Sequence, residues 1–426
     1  MIKIAYICHF SNQRIRKYLH LKSFWLGNLL RKVARIQQVT YVDFASWNNN
    51  FINILSNNKD YECNVVSYHL GMKREEQQFT INNTHYFFIR EKEYLLKKIW
   101  NTIIHSGEDN TYPNAASNIK KVVDKIDPDI IVVCGAENPI YSSSALCFKD
   151  KPVFVILQTL LNSPKRIELG IGTPYRRQLE NDIFRQINYF GSFNIFEAHY
   201  IKGVNPNAFC FKIMFPSSAP QCDSIQDKNY DFVFFANGLS KYKGTEDVLK
   251  GFSIVQKKYP NSKLNVIGSC DASYKVQLES IMEECGIRGN VFFNERYPRQ
   301  VDMLNQVMRS KIAVLPGITA SLNSTVRESM YMGIPVITYE NDVTGIINRE
   351  KKCVLTAKME DIFDLGMKML FAYENPSEMV KMAFNARDYA ENTFSKEAVG
   401  KQLYSILEAV MENFYKKLPV MNSILL

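Results

Sequence analysis

Ser324, Thr325 and Glu328 stand at a spacing that could serve one chemical purpose. An apolar strand, Ile312 to Leu315, runs into a Pro316-Gly317 turn and a small polar loop. The loop delivers Ser324 and Thr325 to the start of a helix that carries Glu328 and ends at Gly333, before Pro335 and a second strand, Val336 to Thr338. The first N–H groups of a helix lack intrahelical partners, and the helix dipole favours negative charge, so a strand feeding a helix in this way forms an anion site. The hydroxyls of Ser324 and Thr325 can add hydrogen bonds to a phosphate. Glu328, one turn further in, could accept bonds from two neighbouring sugar hydroxyls. Together these groups fit a nucleotide diphosphate with its ribose. The plainer reading has Ser324 as a helix cap and Glu328 as a solvated charge.

A second polar loop, Asn237-Gly238-Leu239-Ser240-Lys241-Tyr242-Lys243-Gly244, follows the strand Phe232 to Phe235. Gly238 and Gly244 allow close backbone approach to a ligand, and Lys241 and Lys243 can offset phosphate charge. The loop matches neither the dinucleotide-binding glycine pattern nor the Walker pattern. Alone it reads as a polar turn, and it gains weight from the helix start later in the same half of the chain.

The first half offers polar residues at its strand ends. His9 follows the first strand, Glu137 a later one and Gln158 the next, and His199 lies beside Glu197 in a further polar segment. Each could bind a hydroxylated acceptor, and the histidines and Glu137 could act as a base, although a lone histidine is more often structural. Asp127-Pro128-Asp129 imitates a metal-binding DxD pattern but precedes its strand, at the wrong end of a sheet, so no metal site is expected there.

The elements that must hold these residues alternate between strand and helix. In the first half, strands are predicted at Lys3 to Cys8, Val39 to Val42, Cys63 to Tyr68, Tyr86 to Ile89, Ile130 to Cys134 and Val153 to Leu157. Helices are predicted around 12–35, 114–126, 138–148 and 174–188. The second half continues with strands at 232–235, 264–267, 291–293, 312–315 and 336–338, with helices near 245–258, 359–373, 376–391 and 396–415. Buried β-branched strands separated by helices argue for parallel sheets covered on both faces. Small and polar residues from Pro216 to Asp223 read as a linker. The expectation is an α/β chain of two Rossmann-like parallel-sheet domains facing a cleft. These are 1–216, which would bind an acceptor, and 230–395, which would bind a nucleotide sugar; a helix over 396–426 packs back on the first. Closure about residues 216–230 would exclude water.

The bulk composition excludes several classes. No apolar run approaches the roughly 20 residues of a membrane span. The start, MIKIAYICHF, lacks the basic, apolar and cleavage-site series of a signal peptide. Nine cysteines without a CxxC or a Cys/His cluster read as reduced thiols in a cytoplasmic protein. The net charge of +9 is unevenly spread: residues 1–42 hold eight basic side chains and no acidic one. Seven of these, Arg14, Arg16, Lys17, Lys22, Arg31, Lys32 and Arg35, fall on the predicted helix 12–35, with Phe24, Trp25, Leu26, Leu29 and Leu30 beside them. A second basic-aromatic stretch runs from Tyr94 to Trp100. Such segments suit an anionic membrane surface, at the inner face of the membrane for a cytoplasmic chain; a core helix with a solvated basic face is the commoner case. Nucleic acid is not an expected partner.

The second half resembles the donor domain of a retaining glycosyltransferase of GT-B family 4. Residues 235–244, Leu264 to Gly268, Val291 to Phe293 and Ile312 to Pro316 carry the likeness, with Arg327-Glu328-Ser329-Met330-Tyr331-Met332-Gly333-Ile334-Pro335-Val336 its most specific part. The resemblance implies metal-independent transfer of a sugar from a nucleotide-diphosphate sugar to a carbohydrate or lipid-linked acceptor hydroxyl, as in cell-surface polysaccharide or glycolipid assembly. It implies no cofactor beyond that donor. Lys243 would take the diphosphate, Glu328 the ribose, and Ser324 and Thr325 the phosphates, with Gly238, Lys241 and Gly244 in the same loop. The base would lie along the Val291 to Arg296 strand end. Lys243, Glu328 and Gln158 form the catalytic set, with His9, Glu137 and His199 on the acceptor side. Ala320 stands where the family has a glutamate, Gly238 where it has an arginine, and Gln158 where many members have a histidine. Two other classes fit the same fold: a non-catalytic nucleotide-sugar-binding or partner module, and a nucleotide-sugar 2-epimerase.

Overall fold

The computed structural model describes residues 1–25, 28–29, 32, 40–45, 47–90, 112, 114–217, 227–295, 297–319 and 322–426 of the 426. They form two compact units, Met1–Pro216 with Lys396–Leu426, and Ser217–Ser395. Most of the expected 216–230 linker lies outside the described residues, as do Ala320, Arg296 and the Tyr94 to Trp100 stretch.

The first unit holds eight strands: β1 (Ile2–Cys8), β2 (Tyr61–Tyr68), β3 (Glu76–Ile81), β4 (Thr84–Ile89), β5 (Ile130–Cys134), β6 (Val153–Ile156), β7 (Tyr189–Ser192) and β8 (Phe209–Lys212). Their order across the sheet is β3-β4-β2-β1-β5-β6-β7-β8. All neighbours pair in parallel except β3 with β4. The continuous apolar runs of β1 and β5 are buried on both faces, the pattern of a parallel sheet covered by helices. Chain order reverses between β1 and β5, so the loops leaving these two strands part at a topological switch point. The helix Lys396–Met411 belongs to this unit and ends in a π turn, Glu412–Lys416.

The second unit has six parallel strands, β9 (Tyr230–Gly238), β10 (Leu264–Ser269), β11 (Val291–Asn294), β12 (Ser310–Val314), β13 (Val336–Tyr339) and β14 (Leu355–Ala357). Their order, β11-β10-β9-β12-β13-β14, is the 3-2-1-4-5-6 order of a dinucleotide-binding sheet, with the switch point between β9 and β12. The helix Thr245–Lys258 follows β9 and buries Val248, Leu249, Phe252 and Val255 as one stripe, with acidic residues in its first turn and lysines in its last.

Several elements differ from the sequence expectation. Residues 40–42 form no strand, and Val39 lies outside the described residues. The basic helix over 12–35 is interrupted: Gln13–Arg16 is one short helical turn, the chain leaves the helix around residues 20–22, and residues 25, 28, 29 and 32 are helical again, with Asn28 N–H donating to Phe24 O at 2.7 Å. Leu21 bridges to Met72, Lys22 N–H donates to Gly71 O at 2.8 Å, and Lys73 N–H donates to His20 O at 2.8 Å. These bonds hold the backbone extended where a helix would need it coiled. The 138–148 region forms a 3₁₀ segment, Ser142–Cys147, because the hydroxyls of Ser142, Ser143 and Ser144 bond back to the carbonyls of Gly135, Pro139 and Tyr141. Strands β3, β7, β8 and β14 were not expected. The β3–β4 hairpin turns on Asn82 and Asn83, both at positive φ, a two-residue signal legible in the sequence.

Candidate functional site

In the second unit, β9 and β12 lie side by side, so the loops leaving their carboxyl ends meet at the switch point. The β9 loop makes a 3₁₀ turn, Lys241–Lys243, and passes through Gly244, at φ 81°, into the helix Thr245–Lys258. A Cβ on Gly244 would stand 2.3 Å from Pro316 O. Glycine is therefore needed twice there, for its left-handed backbone and for the close approach of the β12 loop. Ile318 N–H closes the junction by donating to Tyr242 O at 3.1 Å. The Lys243 ammonium lies over the Tyr242 ring, 5.4 Å from its centroid. The Ser240 hydroxyl, in the same loop, is buried without a hydrogen-bond partner among the described residues. Lys241 and Lys243 thus reach the switch point on a loop whose backbone is fixed at both ends.

Gly238 contributes differently. It ends β9 exposed, and a Cβ there would meet only Ser269 O, at 3.9 Å. No packing demands a glycine at this position, and a long side chain would fit.

The β12 loop leads into the helix Ser324–Tyr331. Asn323, and not Ser324, holds the cap position, and its side chain makes no capping hydrogen bond. Its amide instead faces Gly317, where a Cβ would lie 2.5 Å from Nδ2. Ser324 and Thr325 occupy the first two helical positions, where their N–H groups and hydroxyls lie at the positive end of the helix. Glu328 follows one turn later. Gln300 Nε2, from the start of the helix Gln300–Val307, donates to Glu328 Oε1 at 2.6 Å. Burial pushes the Glu328 carboxyl up to about 7, partly offset by the neighbouring Arg327 guanidinium and the Gln300 bond. Gly333, at φ 67°, then ends the helix by the expected left-handed turn. Gln300 was not foreseen: it sits at an ordinary helix start, and only the fold carries it to Glu328.

In the first unit the switch point also gathers polar groups. Gly135, just past β5, has φ 113°, and a Cβ on it would meet Tyr141 Oη at 2.6 Å, Glu137 Oε2 at 2.8 Å and Gln158 Nε2 at 3.0 Å. Gln158 Nε2 donates to Cys134 O at 2.6 Å and to Tyr141 Oη at 3.2 Å, and Tyr141 Oη donates to Cys134 O at 2.8 Å. Arg176 Nε fixes the Glu137 carbonyl at 2.8 Å. Glu137 Oε2 is buried with no hydrogen-bond partner among the described residues. Burial moves this carboxyl up to about 7, with Glu180 adding to the rise and Arg176 opposing it. His9, past β1, packs edge-on against Phe44 with ring centroids 4.8 Å apart, and its ring centroid lies 6.4 Å from that of Tyr141. Burial, aided by His69, lowers the His9 imidazole to about 4, so it is neutral near pH 7.

His9, Glu137 and Gln158 are therefore neighbours, and Tyr141 joins them unforeseen. His199 does not. It is exposed on the helix Ile195–Val204, beyond β7 and two strands across from β5, because that helix buries Glu197, Ala198 and Ile201. The ionisable group of that turn which does face inward is Glu197, which accepts from Ser192 Oγ at 2.5 Å. Asp127 and Asp129 serve structure: Asp127 caps a helix at φ 49° and pairs with Lys151, and Asp129 accepts from Lys3 N–H.

Two sheets of this topology, the second with a helix starting at its switch point, define a GT-B fold. The family model described as glycosyl transferases group 1 matches residues 223–389, which span most of the second unit. An uncharacterised glycosyltransferase of Haemophilus influenzae is 26% identical over 156 residues, 36% of this chain and 42% of that protein. An uncharacterised glycosyltransferase of Methanocaldococcus jannaschii is 29% identical over 108 residues, 25% of each chain. The matched stretches thus span less than half the length of either relative. Among solved structures, a sucrose-phosphate synthase from Thermosynechococcus elongatus superposes with a TM-score of 0.67 at 13% identity, covering 96% of this chain and 98% of the other. HepE of Anabaena, in complex with UDP and glucose, gives 0.67 at 12% identity, covering 96% and 100%. At such identities the likeness establishes the fold alone.

Proposed function

We propose that this protein is a glycosyltransferase that moves a sugar from a nucleotide-diphosphate sugar to an acceptor hydroxyl, with retention at the anomeric carbon. The observation that carries this reading is Glu328: a half-buried carboxylate held by Gln300, one turn inside a helix that starts at the switch point of a dinucleotide-type sheet. Its free oxygen and the lone pairs left on Oε1 suit the two hydroxyls of a ribose. Lys241, Lys243, Ser324 and Thr325 then supply cations, hydroxyls and N–H groups for the diphosphate, and no metal is required in this reading.

The reaction breaks the bond between the anomeric carbon and the diphosphate oxygen and forms a bond from the acceptor oxygen to that carbon on the same face. The acceptor proton passes to the departing phosphate oxygen, so no strong protein base is needed. Lys243 and the helix start stabilise the negative charge that develops on the leaving group. In the first unit, Glu137 Oε2 is a buried acceptor awaiting a donor, which suits a hydroxyl of a carbohydrate or lipid-linked acceptor. We place the reaction in cell-surface polysaccharide or glycolipid assembly at the cytoplasmic face of a membrane.

The test is a thermal-shift series with UDP, GDP, ADP, CMP and their sugar conjugates. UDP is the first choice because HepE, of the same fold, binds it. A nucleotide present at a hundredfold excess over its Kd should stabilise by about 2.7 kcal/mol. A shift with one diphosphate, lost in Lys243→Ala and Glu328→Ala, supports the reading; no shift with any of them refutes it.

One observation favours a second reading, a non-catalytic nucleotide-sugar-binding module. The Gln158 amide is committed to Cys134 O and Tyr141 Oη, and as an amide it cannot take a proton. Nucleotide binding without transfer to any acceptor, or release of free sugar, would select that reading.

A further inference from the structure

The extended pairing of residues 20–22 with 71–73 gathers exposed apolar and basic side chains on one edge of the first unit. Strands β1 and β2 are parallel, so the loops that leave them start from the same edge of the sheet. Tyr41 ties the two loops together. Its hydroxyl donates to Lys22 O at 3.0 Å, and its ring lies 5.4 Å from His69 and 4.7 Å from Phe24, centroid to centroid. Phe24 is thereby anchored, and Trp25, next in the chain, projects 68% exposed. Leu29 is 54% exposed and Leu70 46%. Lys22, Lys73 and Arg74 are exposed on the same paired segments. Among the described residues the acidic groups nearby are few. Asp43 is bound by Arg16, and Glu76, at the start of β3, accepts from Gln78 and faces Lys125, with Glu75 before it. A hydrophobic surface that costs free energy in water, ringed by cations, has a clear chemical complement.

We propose that this edge docks on an anionic lipid bilayer, with Trp25, Leu29 and Leu70 entering the interface and Lys22, Lys73 and Arg74 meeting lipid phosphates. A tryptophan is suited to the boundary between headgroups and acyl chains, and lysines and arginines near an anionic leaflet each add affinity that salt weakens. The surface therefore joins helical residues, which carry Trp25 and Leu29, to the loop after β2 that carries Leu70, Lys73 and Arg74. It stands independently of the nucleotide reading, since vesicle binding and nucleotide binding are separate measurements.

The experiment is sedimentation of the full chain with vesicles of phosphatidylethanolamine and phosphatidylglycerol, and with vesicles of phosphatidylcholine alone. The expected result is co-sedimentation with the anionic vesicles only, reduced by added salt. The variant Lys22→Glu/Lys73→Glu/Arg74→Glu should bind about a hundredfold more weakly, from ~1 kcal/mol lost per basic side chain removed. Trp25→Ser/Leu70→Ser, a second variant with all charges kept, should also lose binding, while Met421→Ser, an exposed apolar residue near the C-terminus, should not. Each variant is checked by its melting curve, and the ones used must melt like the parent. Equal binding to both vesicle types, no binding to either, or binding unchanged in both loop variants would overturn the proposal.

Discussion

Replacing Glu328 with glutamine should move stability and nucleotide binding in opposite directions. Burial has raised this carboxyl from the ordinary 4.5 to about 7, with Arg327 and Gln300 already counted against that rise. At ~1.4 kcal/mol per tenfold change, keeping the ionised form in place costs the fold at most about 3 kcal/mol. The sign follows from proton counting. Between pH 4.5 and 7 the folded chain keeps a proton that the unfolded chain has released, so stability falls as pH rises through that window. The full cost is present above pH 7 and absent below 4.5. Glu328→Gln preserves volume and leaves an amide oxygen to accept from Gln300. The variant should therefore gain up to about 3 kcal/mol over the parent near pH 8, an increase of several degrees in Tm, with most of the gain gone near pH 5. The same change removes a charged acceptor for ribose hydroxyls, a loss of about 1.5–3 kcal/mol, or roughly ten- to a hundredfold in UDP affinity. Binding to the parent should also weaken as pH falls below about 7, because ribose prefers the ionised carboxylate. Scanning fluorimetry of both proteins across this pH range, with and without UDP, reads all three effects. A Tm difference that does not change with pH would refute the buried carboxyl, and an undiminished UDP shift in the variant would refute its ribose role.

Gly244→Ala should destabilise the second unit by about 2–4 kcal/mol and abolish nucleotide binding, since the Cβ meets Pro316 O and the backbone is left-handed; urea titration measures the first effect and calorimetry the second. Gly238→Arg should fold with stability within ~0.5 kcal/mol of the parent, because the position is open, and should tighten UDP binding by up to about tenfold through an added charged donor; weaker binding would count against a diphosphate beside this loop. Tyr141→Phe should cost about 1–3 kcal/mol, because it removes the hydroxyl that donates to the buried Cys134 carbonyl and meets Gln158, and denaturant melts would show it.

Much of the second unit was legible in the chain itself. The helix Thr245–Lys258 has the expected boundaries because its apolar stripe, acidic start and glycine entry are all local. The same holds for the helix that bears Glu328, bracketed by its polar loop and by Gly333. Local signals also placed the strand ends on which Lys243, Glu137 and Gln158 follow. Sequence reasoning was weaker where long-range pairing competes with local preference. The basic residues of 12–35 have helical spacing, yet backbone bonds from residues 20–22 to 71–73 hold that part extended and interrupt the helix. His199 and Glu197 are two residues apart, and only the packing of their helix decides that Glu197 turns inward.

The sequence by itself determined the alternation of buried strands and helices, the glycines that turn the chain at Gly244 and Gly333, and the chemical types available at the strand ends, since each depends on residues close in the chain. Tertiary structure alone decided which of those residues meet. It set β9 beside β12, so that Gly244 lies on Pro316; it carried Gln300 to Glu328 across 28 positions; and it gathered Glu137, Gln158 and Tyr141 at Gly135, with the His9 ring 6.4 Å from that of Tyr141. The pKa of a carboxyl follows from that second set of facts. Burial and partners come from the whole fold, and no local pattern states them.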